Sequence, residues 1–317
     1  MLLIENPQNK IVLSAAEKSS SKRILWELES ACNMKCRYCY ESRTKGVHLS
    51  RERVDQLVEL LSKSDIETIH ITGGEPTISP YFQQILKALS HKKLCITTNL
   101  FSFPKWLKQA FLMPGVASVA VSLDSFSPEI NDSLRGNTRE VVAHLSELLD
   151  LRRKTDASVR IRIHTVISQK NLSDIPNLLR RAKELGIDEV SCQPISLSND
   201  HPLADSLSLS IKDQSAVQRI YDLEKELFEG DYADSHRLLT DYYFVHPGMY
   251  TNDGKCLCDP YIDAAGQVWN CPLKLQPFDL LTGQMLGEIG TCRITPQCMC
   301  CLKRYTYTVF DRKEGIK

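Results

Sequence analysis

The stretch ILWELESACNMKCRYCY, residues 24–40, decides how the chain is read. ILWEL (24–28) has the β-branched and aromatic content of a strand, and Cys32, Cys36 and Cys39 follow it in one short loop. In a parallel βα arrangement that loop lies at the carboxyl end of its strand, where ligands and chemistry collect. Three thiolates can hold three irons of a [4Fe–4S] cube and leave the fourth iron open to a substrate or cofactor. A zinc knuckle is the competing use, but structural zinc takes four protein ligands, and His48 is the nearest later candidate.

Outward from this loop the chain alternates. ETIHIT (67–72), CITTN (95–99), VASVAVSL (116–123), VRIRIHTVI (159–167) and EVSCQPI (189–195) read as further strands. Helices are expected at 50–63, opened by Ser50, and near 80–90, 104–112, 138–154, 173–185 and 211–229. Such alternation implies parallel βαβ units with right-handed crossovers. Six units are too few for the eight of a closed barrel, which leaves an open partial barrel or a doubly wound sheet. SLSNDHPLADSLSLS (196–210) reads as a surface loop. From about residue 245 helical periodicity fades and glycines and cysteines take over.

The chain has 317 residues, 39 basic and 39 acidic, so its formal charge is zero and nothing advertises a nucleic acid or an anionic membrane as partner. No apolar run approaches the roughly eighteen residues of a spanning helix, and MLLIENPQNK has no signal-peptide layout. A cytoplasmic protein without membrane or nucleic-acid partners is expected. Twelve cysteines stand out: three in the first loop, Cys95 and Cys192 alone, and Cys256, Cys258, Cys271, Cys292, Cys298, Cys300 and Cys301 in the last quarter. Clustered thiolates in a reducing compartment point to metal rather than a disulfide framework.

The cysteine loop, with Tyr38 just before its last cysteine, resembles the radical S-adenosylmethionine (radical SAM) superfamily. Gly73-Gly74-Glu75-Pro76 at the end of the second strand resembles the family's GGEP motif, which implies contact with the methionine amino group of SAM. Two glycines admit close backbone approach, and a carboxylate suits an ammonium group. Asn99 ends the third strand, and Ser122-Leu123-Asp124 with Arg135 resembles the family's SLD…R pattern, in which the serine meets the ribose and the arginine the SAM carboxylate. Gln193 would border the adenine. The resemblance covers roughly 24–230 and implies an α/β fold: a partial (β/α)6 TIM-like barrel. An N-terminal extension (1–23) would precede it, and a small cysteine-rich cluster-binding domain (231–317) would follow. It also implies that a reduced cluster cleaves SAM to a 5′-deoxyadenosyl radical that abstracts hydrogen from a C–H bond, with flavodoxin or ferredoxin as external electron donor.

Cys256, Gly266 and Cys271 resemble the opening of SPASM and twitch domains, with Gly266 at a hairpin turn and Cys258 near. That implies one auxiliary [4Fe–4S] cluster, held by Cys256, Cys271, Cys298 and Cys301, with Cys258 as rival ligand. Cys292 and Cys300 add thiolates for a second cluster, although no cysteine follows Cys301. A zinc ribbon is the competing use.

For substrate chemistry, His70, Thr72, His164, Cys192 and Gln193 lie near strand carboxyl ends. His164 also suits a satisfied core histidine, and Cys192 either a hydrogen-atom donor or a buried structural thiol. The expected function is a radical SAM oxidoreductase or maturase acting on a peptide or natural-product intermediate by oxidation, cross-linking or epimerisation. Only about 23 residues precede the first strand, which favours a small molecule or a peptide captured by a partner protein. A molybdopterin-type cyclase is similar in layout, but the chain ends Gly-Ile-Lys rather than Gly-Gly. A non-catalytic iron–sulfur or zinc module, such as an electron carrier, would leave Glu75, Ser122 and Arg135 unexplained.

Overall fold

The computed structural model describes residues 3–5, 11–13, 22–39, 46, 48–197, 201–228, 240, 244, 250–252 and 260–269. In chain order the elements begin with β1 (Leu3–Glu5), β2 (Ile11–Leu13), β3 (Arg23–Glu29), α1 (Arg51–Lys63), β4 (Thr68–Gly73), α2 (Phe82–Ala88) and β5 (Lys93–Thr98). Next come α3 (Lys105–Phe111), β6 (Val116–Ser122), α4 (Pro128–Asp132), α5 (Thr138–Thr155), β7 (Arg160–Ile167), α6 (Ile175–Leu185) and β8 (Glu189–Pro194). Last are α7 (Ala204–Leu207), α8 (Gln214–Leu227), β9 (Tyr250–Asn252), β10 (Tyr261–Ile262) and β11 (Val268–Trp269).

The six strands expected from the sequence, β3 to β8, pair in parallel and in chain order. Among the described residues β8 is an edge and the sheet stays open, so the fold is a partial TIM-like barrel. Alternation explains its layers. On β7, Ile161, Ile163, Thr165 and Ile167 are buried while Arg162, His164 and Val166 are part-exposed; β4 and β5 repeat the pattern. The buried isoleucines, leucines and valines pack under the helices, and the polar alternates line the concave face.

The helices form where caps and apolar spacing coincide. Ser50 accepts the Arg53 N–H at 3.2 Å, and Val54, Leu57 and Leu61 then bury one face of α1. In α6, Ile175, Leu178, Leu179 and Ala182 repeat the spacing, and Gly186 stops the helix in a left-handed conformation.

Three stretches depart from the sequence expectation. Residues before 24 supply β1 and β2, which form a second sheet in which β2 pairs in parallel with β9. The expected helix near 211–229 begins as a 3₁₀ turn, Ile211–Asp213, capped reciprocally by Ser210 and Asp213, before α8. The expected surface loop at 196–210 contains α7, whose Leu207 is buried against Leu134 and Ile195. In addition, β10 pairs in parallel with β3, so the hairpin β10–β11 extends the barrel sheet.

Candidate active site

Sequence places Cys32, Cys36 and Cys39 directly after β3, and three neighbouring strand ends hold their loop. The end of β4 does so by backbone. Gly74 N–H donates to Glu29 O at 2.5 Å, and Glu75 N–H donates to Ala31 O at 2.9 Å. Gly73 has φ 137°, and a Cβ there would stand 2.1 Å from Glu29 O; one on Gly74 would stand 2.4 Å from Ala31 O. The two glycines therefore make room for the cysteine loop itself, a role the motif alone did not disclose.

The end of β5 adds Asn99, whose Nδ2 donates to Asn33 Oδ1 at 2.8 Å and lies 3.6 Å from Cys32 Sγ. Glu75 is 1% exposed. Its Oε1 accepts from Thr77 Oγ1 (2.6 Å) and Thr98 Oγ1 (2.7 Å), and its Oε2 from Asn99 N–H (2.6 Å). Burial pushes the Glu75 carboxyl up against the opposing pull of these donors. The carboxylate thus straps β4 to β5 beneath the cysteine loop.

The end of β6 supplies Asp124, which is fully buried. Tyr38 O–H donates to its Oδ2, and Arg135 Nε stands 2.8 Å from the same oxygen as an ion pair. Asp124 Oδ1 accepts Val166 N–H at 2.9 Å, while Asp124 N–H donates to Asn131 Oδ1 at 2.9 Å. The Arg135 guanidinium lies 5.4 Å from the Tyr38 ring centroid. The segment after α4 completes the hold, with Arg37 N–H donating to Leu134 O at 2.9 Å. Asp124 was expected among the cofactor contacts; the structure makes it an internal hub joining Tyr38, Arg135 and β7.

Cys32 is exposed and Cys36 and Cys39 are part-exposed; none of the three forms a disulfide. Burial pushes the Cys36 thiol up to about 11, against the pull of Arg135, and raises Cys32 as well. Metal loading would deprotonate both. Among the described residues no three His, Cys, Asp or Glu side chains converge on one metal-ion position. Each thiolate of a cubane caps a different iron, so three thiols on one loop held from three sides suit a [4Fe–4S] cluster.

Ser122, the last residue of β6, is part-exposed and lies opposite His164 on β7; His164 in turn pairs with Ser191, and Val166 with Gln193. Ser122, His164 and Gln193 thus share the concave face. Cys192 does not. It is 2% exposed on the helical side of β8, and its thiol hydrogen-bonds Glu224 of α8, with burial pushing it well up. Gly266 turns the β10–β11 hairpin at φ 77°, and its carbonyl accepts from Arg53 Nη2 at 2.5 Å. Cys256, Cys258, Cys271, Cys292, Cys298, Cys300 and Cys301 lie outside the described residues.

Two acidic side chains on β3 escaped the sequence reading. Glu29, 1% exposed, accepts Ala31 N–H at 3.2 Å and stands 2.8 Å from His48 Nδ1. Glu27 accepts from Tyr261 O–H of β10. Their signal was two acidic residues at the carboxyl end of a strand whose preceding run, Ile24 to Trp26, is apolar, a pattern that demands partners once buried.

Comparison with known proteins places this geometry. The description "Radical SAM superfamily" matches residues 28–197. Mycofactocin maturase MftC of Mycobacterium tuberculosis is 24% identical over 291 residues, covering 84% of this chain and 68% of that protein. GTP 3′,8-cyclase of Aquifex aeolicus is 27% identical over 172 residues, 50% of this chain and 52% of that one. Among solved structures, Streptococcus suis SuiB bound to S-adenosylmethionine superposes with TM-score 0.60 at 16% identity over 83% of this chain. The chain spans 61% of the SuiB chain's length. anSMEcpe with bound AdoMet and Cp18Cys peptide gives TM-score 0.60 at 17% identity over 84% of this chain and 76% of that one. Within the described residues no helix is long and apolar enough to cross a membrane. With its matched span covering the strands and the cysteine loop described above, the chain belongs to the radical SAM superfamily and is an enzyme.

Proposed function

We propose that this enzyme is a peptide-modifying radical SAM maturase. Cys32, Cys36 and Cys39 hold a [4Fe–4S] cluster with one iron open to SAM, and the C-terminal cysteines hold at least one auxiliary cluster. The observation that carries the reading is the three-sided clamp on the cysteine loop by Gly74 and Glu75, by Asn99, and by Tyr38–Asp124–Arg135. Bound there and reduced, such a cluster would supply the electron for reductive cleavage of SAM and so the hydrogen-abstracting chemistry of the family.

The chain's own residues bind, orient and exclude water. Asn99 positions an amide donor beside the Cys32 sulfur. Asp124 neutralises one edge of Arg135 and leaves its remaining N–H groups for the SAM carboxylate. Ser122 and Gln193 present hydrogen-bonding groups on the concave face for the nucleoside. The sequence left peptide and small molecule open. The names of the relatives favour a peptide: a mycofactocin maturase, and structures bound to precursor peptide SuiA and to Cp18Cys peptide. A flavodoxin or ferredoxin would supply the electron.

The test is anaerobic reconstitution with iron and sulfide, then SAM and dithionite. The wild-type chain should yield 5′-deoxyadenosine, and replacing Cys32, Cys36 and Cys39 by alanine should remove about four irons per chain and all SAM cleavage. Zinc in place of iron, with no SAM cleavage, would overturn the reading. GTP offered as substrate tests the cyclase alternative directly.

A further inference from the structure

The concave face of β7 and β8 carries a charge cluster that the cofactor end does not use. Arg162 Nη2 donates to Glu189 Oε1, and Arg160 Nη2 stands 3.3 Å from Glu189 Oε2. Two cations thus face one carboxylate. Glu189 is almost fully buried and the Arg162 side chain is 20% exposed. Arg162 Nε is buried without a hydrogen-bond partner among the described residues. On its other flank the register neighbour of Arg162 is Ala120 of β6, which offers it no hydrogen-bonding side chain.

A buried guanidinium N–H with no partner among the described residues, in a cluster where two cations share one carboxylate, favours an anionic acceptor. Arg162 also lies at a useful depth. It sits two residues, about 6–7 Å along the strand, below the Ser122–His164 pair at the carboxyl rim. A group held there would leave the rest of its molecule pointing towards the rim.

We propose that Arg162 anchors a carboxylate of the peptide substrate inside the barrel. This rests on the peptide-maturase reading and adds what the substrate must carry: an acidic side chain or a free C-terminus entering the concave face, with Arg162 completing its fork on that carboxylate. The planar fork, rather than charge alone, sets the selectivity.

Equilibrium dialysis on the reconstituted holoenzyme tests this with three labelled probes. N-acetylglutamic acid α-amide carries only a side-chain carboxylate, N-acetylglutamine only a terminal one, and N-acetylglutamine amide neither. At least one acidic probe should bind and the neutral probe should not; the acidic probe that binds identifies the source of the carboxylate. Arg162→Gln should weaken that binding by roughly tenfold or more, with iron content and melting temperature reporting folding. If that variant fails to fold, Arg162→Lys keeps the charge without the fork and should bind about threefold weaker or worse. Failure of both acidic probes to bind wild-type protein, equal binding of the neutral probe, or unchanged affinity in the variants overturns the assignment. Reductive SAM cleavage by the wild type judges the parent reading separately, since the dialysis needs no turnover.

Discussion

The rim formed by the ends of β3 to β6 and the wall formed by β7 and β8 solve different problems with polar residues. At the rim, Glu75 and Asp124 are buried and saturated: each carboxylate is met by several donors and serves other parts of the protein. On the wall, His164, Ser191 and Gln193 are part-exposed, and Arg162 Nε is without a hydrogen-bond partner among the described residues. A saturated network holds one geometry, which suits a cofactor that never varies. A part-exposed polar wall suits a ligand that arrives and leaves.

The sharpest way to break this contrast is Gly73→Ala. Its Cβ would meet Glu29 O at 2.1 Å on a backbone with φ 137°, so the cysteine loop must shift. Near-complete loss of bound iron and of 5′-deoxyadenosine formation is expected. A variant that retained its iron would show the rim to be pliable.

Asp124→Asn should rank next. It removes the charge facing buried Arg135 and weakens the hold on Tyr38, and breaking one partner of a buried pair costs about 3–5 kcal/mol. A lowered melting temperature and SAM affinity reduced about tenfold or more are expected, with the larger part of the iron retained. Measurement by thermal denaturation and equilibrium dialysis would separate the two effects.

Tyr261→Phe probes whether the hairpin depends on the rim strand, because it deletes the contact of Tyr261 with Glu27. A loss of about 1–3 kcal/mol in a denaturant titration is expected for a buried carboxylate deprived of a donor. Ser191→Ala, on the wall, should change stability by less than about 0.5 kcal/mol and leave iron content unaltered. A loss as large as that of Asp124→Asn would erase the distinction between wall and rim.

Much of the rim was legible in the chain because its motifs are local. Cys32, Cys36 and Cys39 fall in one loop, and Gly73 and Ser122 end, and Asn99 directly follows, strands whose alternation is visible within a few residues. The wall was less legible, since the sequence leaves His164 open between substrate chemistry and core packing and does not single out Arg162. Nothing near Arg162 in sequence announces Glu189, its partner across the β7–β8 pairing.

By itself, then, the sequence determined the order of strands and helices and the placement of the cysteine loop after β3, because two- and 3.6-residue periods are short-range properties, while the resemblance grouped Glu75, Ser122 and Arg135. Tertiary structure decided which face each polar group serves. It turned Cys192 towards Glu224, buried Asp124 beneath Tyr38, gave Gly73 and Gly74 to the cysteine loop, and set β10 beside β3. Those outcomes depend on contacts between residues far apart in the chain, formed only when the parallel sheet brings its strand ends together.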